Sequence, residues 1–136
     1  MTKKVFLGGT CNGSTWRNEL ISLIDIEYFN PVVENWTIQC QEEEIKQRKA
    51  CDFCLYCVTP KMTGVYSIAE VIDDSNKRSN KTIFVLLTED CDHSFTINQL
   101  RSLRMVAKMV EDNGGLVFFS LMDAAYYLNQ FSRSNQ

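Results

Sequence analysis

The sequence contains a single histidine, His93, in the polar stretch "TEDCDHS". With no second histidine to act as base, a Ser-His or Cys-His nucleophile has little material, and a lone loop histidine is ordinarily a solvated one. No run of about 18 apolar residues exists, so no segment reads as a membrane span. No long Lys/Arg cluster exists either: 14 basic side chains face 17 acidic ones, for a formal net charge of −3. That balance argues against a nucleic-acid polymer as partner. It leaves room for a small anion held locally by backbone amides and one arginine. The apolar stretch after Lys4 runs straight into glycines and is too short for a signal h-region, so the cytoplasm is the expected compartment. Repeats, low-complexity stretches and linkers are absent. The 136 residues, 45% of them hydrophobic, are therefore expected to form one domain, 1–136, with a sizeable core.

What is present is a regular alternation. Buried-strand runs are read at "KVFLGG" (4–9), "EYFNPVV" (27–33), "DFCLYCVT" (52–59), "KTIFVLLT" (81–88) and "GLVFFS" (115–120). Helical spacing fills the gaps: 15–25, 37–50, 65–77, 98–113 and 121–132. The second of these helices is polar, with Ile38, Gln41 and Ile45 on a narrow inner face, and Ser120 is the expected N-cap of the last. Strands that are continuous apolar runs belong to a parallel sheet covered on both faces. The fold class expected is α/β: a flavodoxin-like, doubly wound, five-stranded parallel sheet in a three-layer α/β/α sandwich, with strand order 2-1-3-4-5. Ligands of such sheets bind at the carboxyl ends of the strands, where the order reverses. That singles out the loops at 8–15 and 59–66.

The first loop, "GGTCNGSTWRN", offers Gly8 and Gly9 for close approach of the backbone, then small polar residues, then a helix start. It suits a ribose or a phosphate, and equally an ordinary strand-to-helix turn with Thr15 as N-cap. It is neither a Walker A motif nor a Rossmann fingerprint. Cys51, Cys54 and Cys57 are spaced by three, which on a strand sends neighbours to opposite faces. No metal site is expected there, and the six cysteines read as reduced thiols, most of them small buried hydrophobes. Trp16 reads as core first, and otherwise as an aromatic that could stack on a base. Asp52, opening the third strand, reads as a solvated connector or a functional acid. Glu70 has three readings: the end of a Ser67-Ile-Ala-Glu70 capping box, part of a solvated face with Asp74 and Lys77, or an acid looking into the crevice. In the last case Asp73 and Asp74, one turn on, would make it easier to protonate.

The stretches "KVFLGGT", "WRNELI", "YFNPVV", "CDFCLYCVTP" and "TGVYSIAEV" resemble the nucleoside 2-deoxyribosyltransferase-like family over most of the chain. The resemblance implies a flavodoxin-like fold, in agreement with the pattern above. It also implies cleavage of the N-glycosidic bond of a 2′-deoxynucleoside or its monophosphate. A helix-borne glutamate attacks C1′ to give a glycosyl-enzyme, and another base or water takes the sugar. By its place after the third strand Glu70 matches that nucleophile. Asp52 matches an aspartate that helps position substrate and is a candidate second acid. Gly8 and Gly9 fall in the family's sugar-binding loop and Phe6 stands where some members have a tyrosine near the nucleophile; Thr10, Asn12, Thr63, Gly64 and Tyr66, from the two crevice loops, complete the expected substrate contacts, with Tyr66, one turn before Glu70, orienting its carboxylate. The chain departs from the family pattern in three places: Glu70-Val71-Ile72 where E-x-G is frequent, no acid just before the Thr63-Gly64 turn, and Phe6 where some members have tyrosine. The expected partner is a small-molecule nucleoside or nucleotide, with no cofactor and no membrane. A homodimer or larger homo-oligomer is expected, with Tyr126, Tyr127 and Phe131 supplying an interface. The alternative is a non-catalytic binding module for a nucleotide-derived metabolite or signal. An electron carrier or receiver domain fits worse, since strand one ends without an acidic cluster and no aromatic flavin clamp precedes Glu70.

Overall fold

The computed structural model describes residues 2–11 and 13–132. In chain order the elements are β1 (Lys4–Gly9), α1 (Trp16–Leu23), β2 (Glu27–Phe29), α2 (Ile38–Ala50), β3 (Phe53–Val58) and α3 (Tyr66–Lys77). A short 3-10 turn (Ser79–Lys81) leads to β4 (Thr82–Leu86), β5 (Glu89–Asp90), β6 (His93–Ser94), α4 (Ile97–Asp112), β7 (Leu116–Phe118) and α5 (Leu121–Asn129). Five strands form one sheet in the order β2-β1-β3-β4-β7, every pair parallel. This is the doubly wound flavodoxin-like arrangement expected, with β7 in the fifth place.

The two-residue period of the strands builds two cores. Val5, Leu7, Leu55 and Cys57 point to one face, where Trp16 and Leu20 of α1 and Leu128 of α5 cover them. Phe6, Cys54, Tyr56 and Phe84 point to the other, under Val71 of α3 and Leu103 and Val110 of α4. Central β3 is buried at all six positions, which is why its sequence reads as unbroken hydrophobicity.

Several local expectations are corrected. The second strand stops at Phe29, not Val33, so the segment through Pro31 is free to turn over the sheet edge. No residue of α2 is buried, and Ile38 and Ile45 are exposed rather than forming an inner face. The polar stretch around His93 contains an antiparallel hairpin, β5 with β6, whose turn holds Cys91 at φ 56. Cys54 and Cys57 do take opposite faces, but Cys51 ends α2 and joins Cys54 in one apolar cluster. Burial pushes the Cys54 thiol up to about 12, and raises Cys51 and Cys57 as well, which suits inert packing groups. Of the three aromatics assigned to an interface, Tyr127 and Phe131 pack on Phe53 at ring distances of 6.0 and 5.0 Å. Only Tyr126 of that trio is exposed. Among the described residues no helix is long and apolar enough to cross a membrane.

Candidate functional site

A cleft of about 450 Å³ opens at the carboxyl ends of β1 and β3. One wall is the end of β1, from Gly8 to Cys11. The second is the segment after β2, with Val33 and Trp36, continued by Glu44 of α2. The third is the turn at Thr63 and Gly64 with Tyr66, Ser67 and Glu70 of α3. Seven of the expected site residues thus meet in one place: Gly8, Gly9, Thr10, Thr63, Gly64, Tyr66 and Glu70.

Two do not. Phe6 is buried beneath the cleft, stacked on Phe29 at 5.9 Å and tilted against Tyr56 at 6.2 Å. Phe6 shares a strand face with Gly8 but lies two residues deeper in β1, so it packs in the core while Gly8 reaches the cleft. Asp52 lies at the amino end of β3, accepting a hydrogen bond from the Lys4 amide at 2.9 Å and facing Lys3 at 3.8 Å. The whole of β3 separates it from the cleft, about 20 Å at the usual strand rise. Asn12 lies outside the described residues.

The two glycines of β1 have a packing reason. In register with Tyr56 and Cys57 of β3, a side chain at Gly8 would meet the Tyr56 ring at 2.6 Å. Gly9 has φ +116, and a Cβ there would sit 2.1 Å from the Cys57 carbonyl oxygen. Beyond them Thr10 is buried; its hydroxyl accepts from the Thr59 amide at 2.9 Å and so ties together the two loops that frame the cleft.

Arg17 of α1 turns back under this edge. It is buried, donating to the carbonyls of Leu7, Thr10 and Gly9 at 3.0, 2.6 and 3.3 Å. Burial pulls its pKa below the usual arginine value, with Cys11 among the groups opposing. The cation is thus engaged by the backbone that shapes the cleft. Trp16 beside it is core, its indole N–H donating to the Thr10 carbonyl at 2.8 Å. At the rim Asp90 accepts from the Ser14 hydroxyl at 2.6 Å and lies 3.9 Å from Lys61, whose Nζ also donates to the Gly13 carbonyl at 2.9 Å. This pins the loops after β1, β3 and β4 to one another.

Glu70 is the fifth residue of α3, which begins at Tyr66 after an N-cap, Val65, that offers no side-chain hydrogen bond. Ser67 lies inside the helix, so the capping-box reading fails. α2, α4 and α5 each begin on a capping hydroxyl, from Thr37, Thr96 and Ser120. The Glu70 side chain is 12% exposed, and its ionic partner is Arg48 of α2, with Nε at 3.7 Å from Oε2. Tyr66 borders the same cleft, largely exposed. Burial pushes the Glu70 carboxyl up to about 7; Arg48 opposes, and Glu44 and Asp74 add to the rise. Glu44 is raised in the same direction, by burial first, with Arg17 and Arg48 opposing. The cleft therefore holds two carboxyl groups whose environment favours a proton, the condition under which a carboxyl can work as an acid or base near neutral pH.

Sequence reasoning missed Glu44, Arg48, Arg17 and Trp36. The polar run of α2 reads as a solvated face, and nothing in its period marks Glu44 and Arg48 as the residues turned inward. The signal that could have found them is the weakness of that helix's apolar face: a helix without one has to be attached by something polar.

The sequence model of the family described as nucleoside 2-deoxyribosyltransferase like matches residues 2–90. The chain belongs to the nucleoside 2-deoxyribosyltransferase-like family. The matched span runs from the approach to β1 through β5, so it includes every cleft residue named above; β6, α4, β7 and α5 follow it. Comparison with curated proteins and with solved structures gives no match. Membership of the nucleoside 2-deoxyribosyltransferase-like family supports glycosyl transfer involving small nucleoside-type molecules as the general class of chemistry.

Proposed function

We propose that this protein cleaves or transfers the N-glycosidic bond of a 2′-deoxynucleoside or deoxynucleotide through a glycosyl-enzyme on Glu70. The observation that carries this reading is the position of Glu70: a largely buried carboxyl from α3, facing the cleft at the carboxyl ends of β1 and β3 in the part of the chain that the family model matches. The ionised carboxylate attacks C1′, and the C1′–N bond breaks with its electron pair going to the base. A carboxylate stabilises the oxocarbenium-like transition state and then bonds to it, as in retaining glycosidases. The departing base needs a proton. Asp52 is too distant to give one, whereas Glu44, with its raised pKa, lies on the cleft wall. In the second half-reaction a new base or water attacks C1′, gives its proton to Glu44, and releases the Glu70 carboxylate. Trp36, 61% exposed on the opposite wall, is available to stack on the base.

A second reading is a binding module for a nucleotide-derived molecule. It is favoured by the displacement of Asp52 and Phe6 from the cleft, which leaves the pocket without two of the groups that the resemblance assigns to it. Incubation with deoxynucleosides and deoxynucleotides plus a free acceptor base, read by chromatography, separates the two. The enzyme reading expects a new nucleoside or released base from the wild type, with Glu70→Gln slower by several orders of magnitude. Wild-type turnover in the Gln variant removes Glu70 from the mechanism, and an inert wild type leaves the binding module.

A further inference from the structure

Between α2 and α3 lies a polar cluster that the mechanism above does not use. Its centre is Arg48. Nε donates to the Tyr56 hydroxyl at 2.9 Å and to Asp74 Oδ2 at 3.3 Å. Nη2 donates to Asp74 Oδ1 at 2.9 Å, to Asp73 Oδ2 at 3.3 Å and to the main-chain carbonyl of Glu70 at 3.2 Å. Asp74, whose side chain is 0% exposed, also receives the Tyr56 hydroxyl and both Nε and Nη2 of Arg78, the latter at 2.9 and 2.8 Å. The Arg48 guanidinium is thus held by a tyrosine of the central strand and a buried carboxylate. Through the same two nitrogens it meets Glu70 twice, Nε lying 3.7 Å from the carboxylate and Nη2 donating to the backbone carbonyl.

We propose that Arg48 is the positioning residue for Glu70: anchored by Asp74 and Tyr56, it fixes the direction of the Glu70 carboxylate in the cleft and favours its charged form against the burial. The proposal rests on the reading of Glu70 as the attacking group. The surroundings leave that task to Arg48. Phe6, directly under the cleft, has no hydroxyl to offer. Of the groups on α3 itself, Asp73 and Asp74 carry negative charge, and Tyr66 lies on the open side of the cleft. From α2 Glu44 adds a second carboxyl; from β3 come Tyr56 and, below it, Cys54. Arg17 of α1 is engaged by the β1 carbonyls, and Arg78 by Asp74. Arg48 is the cation left to oppose the burial of Glu70. The simpler role, a staple joining α2 to α3, is compatible with the same contacts, since α2 buries no residue of its own. The two roles differ in what their loss does. A staple changes stability alone. A positioning residue changes the protonation and the productivity of Glu70.

The test follows kcat and kcat/KM against pH, and titrates the Glu70 carboxyl directly by carbon NMR, in the wild type, Arg48→Gln and Arg48→Lys. Glu70→Gln assigns the resonance. In Arg48→Gln the Glu70 midpoint and the acid limb of the profile should move together to higher pH by about one unit or more, the effect an opposite charge has on a neighbouring carboxyl. Activity at neutral pH should fall about fivefold from this cause and recover in alkali. Arg48→Lys should restore the midpoint but not kcat, because one ammonium cannot hold the carboxylate and the carbonyl together. An unmoved Glu70 midpoint in a folded Arg48→Gln overturns the proposal. Should that variant fail to fold, Arg48→Lys decides, and wild-type kcat in it overturns the proposal. If the wild type turns over no nucleoside or nucleotide, the reading of Glu70 as nucleophile fails, while the NMR midpoint still decides whether Arg48 governs its charge.

Discussion

The Glu70 carboxyl has an ordinary pKa of 4.5 and is carried to about 7 in the folded chain, by burial before anything else. The unfolded chain therefore releases this proton at lower pH than the folded one. Between the two values the folded state binds more protons, and stability falls as pH rises through that window. The loss at full ionisation is on the order of 3 kcal/mol for a rise of this size. Glu70→Gln has no proton to lose, so it should melt above the wild type in mild alkali and close to it near the acidic end of the window. Melting temperature against pH for the two proteins checks this; a difference that does not grow with pH removes the argument. The direction of the shift is legible in the sequence, but its cause is not. The sequence points to Asp73 and Asp74 as the residues that raise Glu70. Asp73 instead pairs with Lys77 at 2.9 Å and is itself lowered, chiefly by that bond. Asp74 does contribute, but after burial and alongside Glu44, a residue 26 positions earlier that no local pattern connects to Glu70.

Among the elements, strands declare themselves and helix faces do so unevenly. Continuous apolar runs mark β1, β3 and β4, because a strand covered on both sides has no polar side to show. α4 and α5 carry their caps in the sequence, with Thr96 and Gln99 forming a full capping box and Ser120 accepting from the Asp123 amide at 3.1 Å. The same grammar misleads at α3, where Ser67 and Glu70 have the spacing of a box but lie inside the helix. Glycines show a similar divide. Gly9 is fixed by the close approach of β1 to β3 and by its positive φ, whereas a Cβ added at Gly64, on the cleft wall, would meet nothing within 4 Å. Gly9→Ala should therefore cost at least about 3 kcal/mol, combining left-handed strain with overpacking. Gly64→Ala should leave stability within about 0.5 kcal/mol, as for a surface change. Denaturant midpoints test both. Any loss of turnover in Gly64→Ala then reports a contact with substrate, since the fold has no stake in that position.

At the scale of the whole molecule, the alternation of strands and helices determines the sheet order, and the sheet order determines where the cleft lies. That chain of inference holds because each step is forced by covering both faces of a parallel sheet. It cannot reach the side chains that arrive from α2, because that helix is attached by Arg48 rather than by a buried stripe. The cleft brings together elements whose cores lie on opposite faces of the sheet: α1 on one, α3 on the other. A ligand that touches the β1 edge, α2 and α3 together therefore stabilises the entire fold, by about 2.7 kcal/mol when present at a hundredfold excess over its Kd. This gives a measurement that separates enzyme from binding module without following products. Under the enzyme reading, Glu70→Gln binds a deoxynucleoside or deoxynucleotide but does not consume it, so its melting temperature rises and stays raised. The wild type, given the same ligand and either water or an excess of acceptor base, shows a rise that changes with incubation, decaying where the bond is hydrolysed and moving to the product nucleoside's value where the sugar is transferred. Under the binding reading, both proteins show the same rise, constant in time. A matched, time-independent shift in the two would overturn the glycosyl-enzyme on Glu70, and the absence of any shift in either would remove nucleosides and nucleotides as ligands of this cleft.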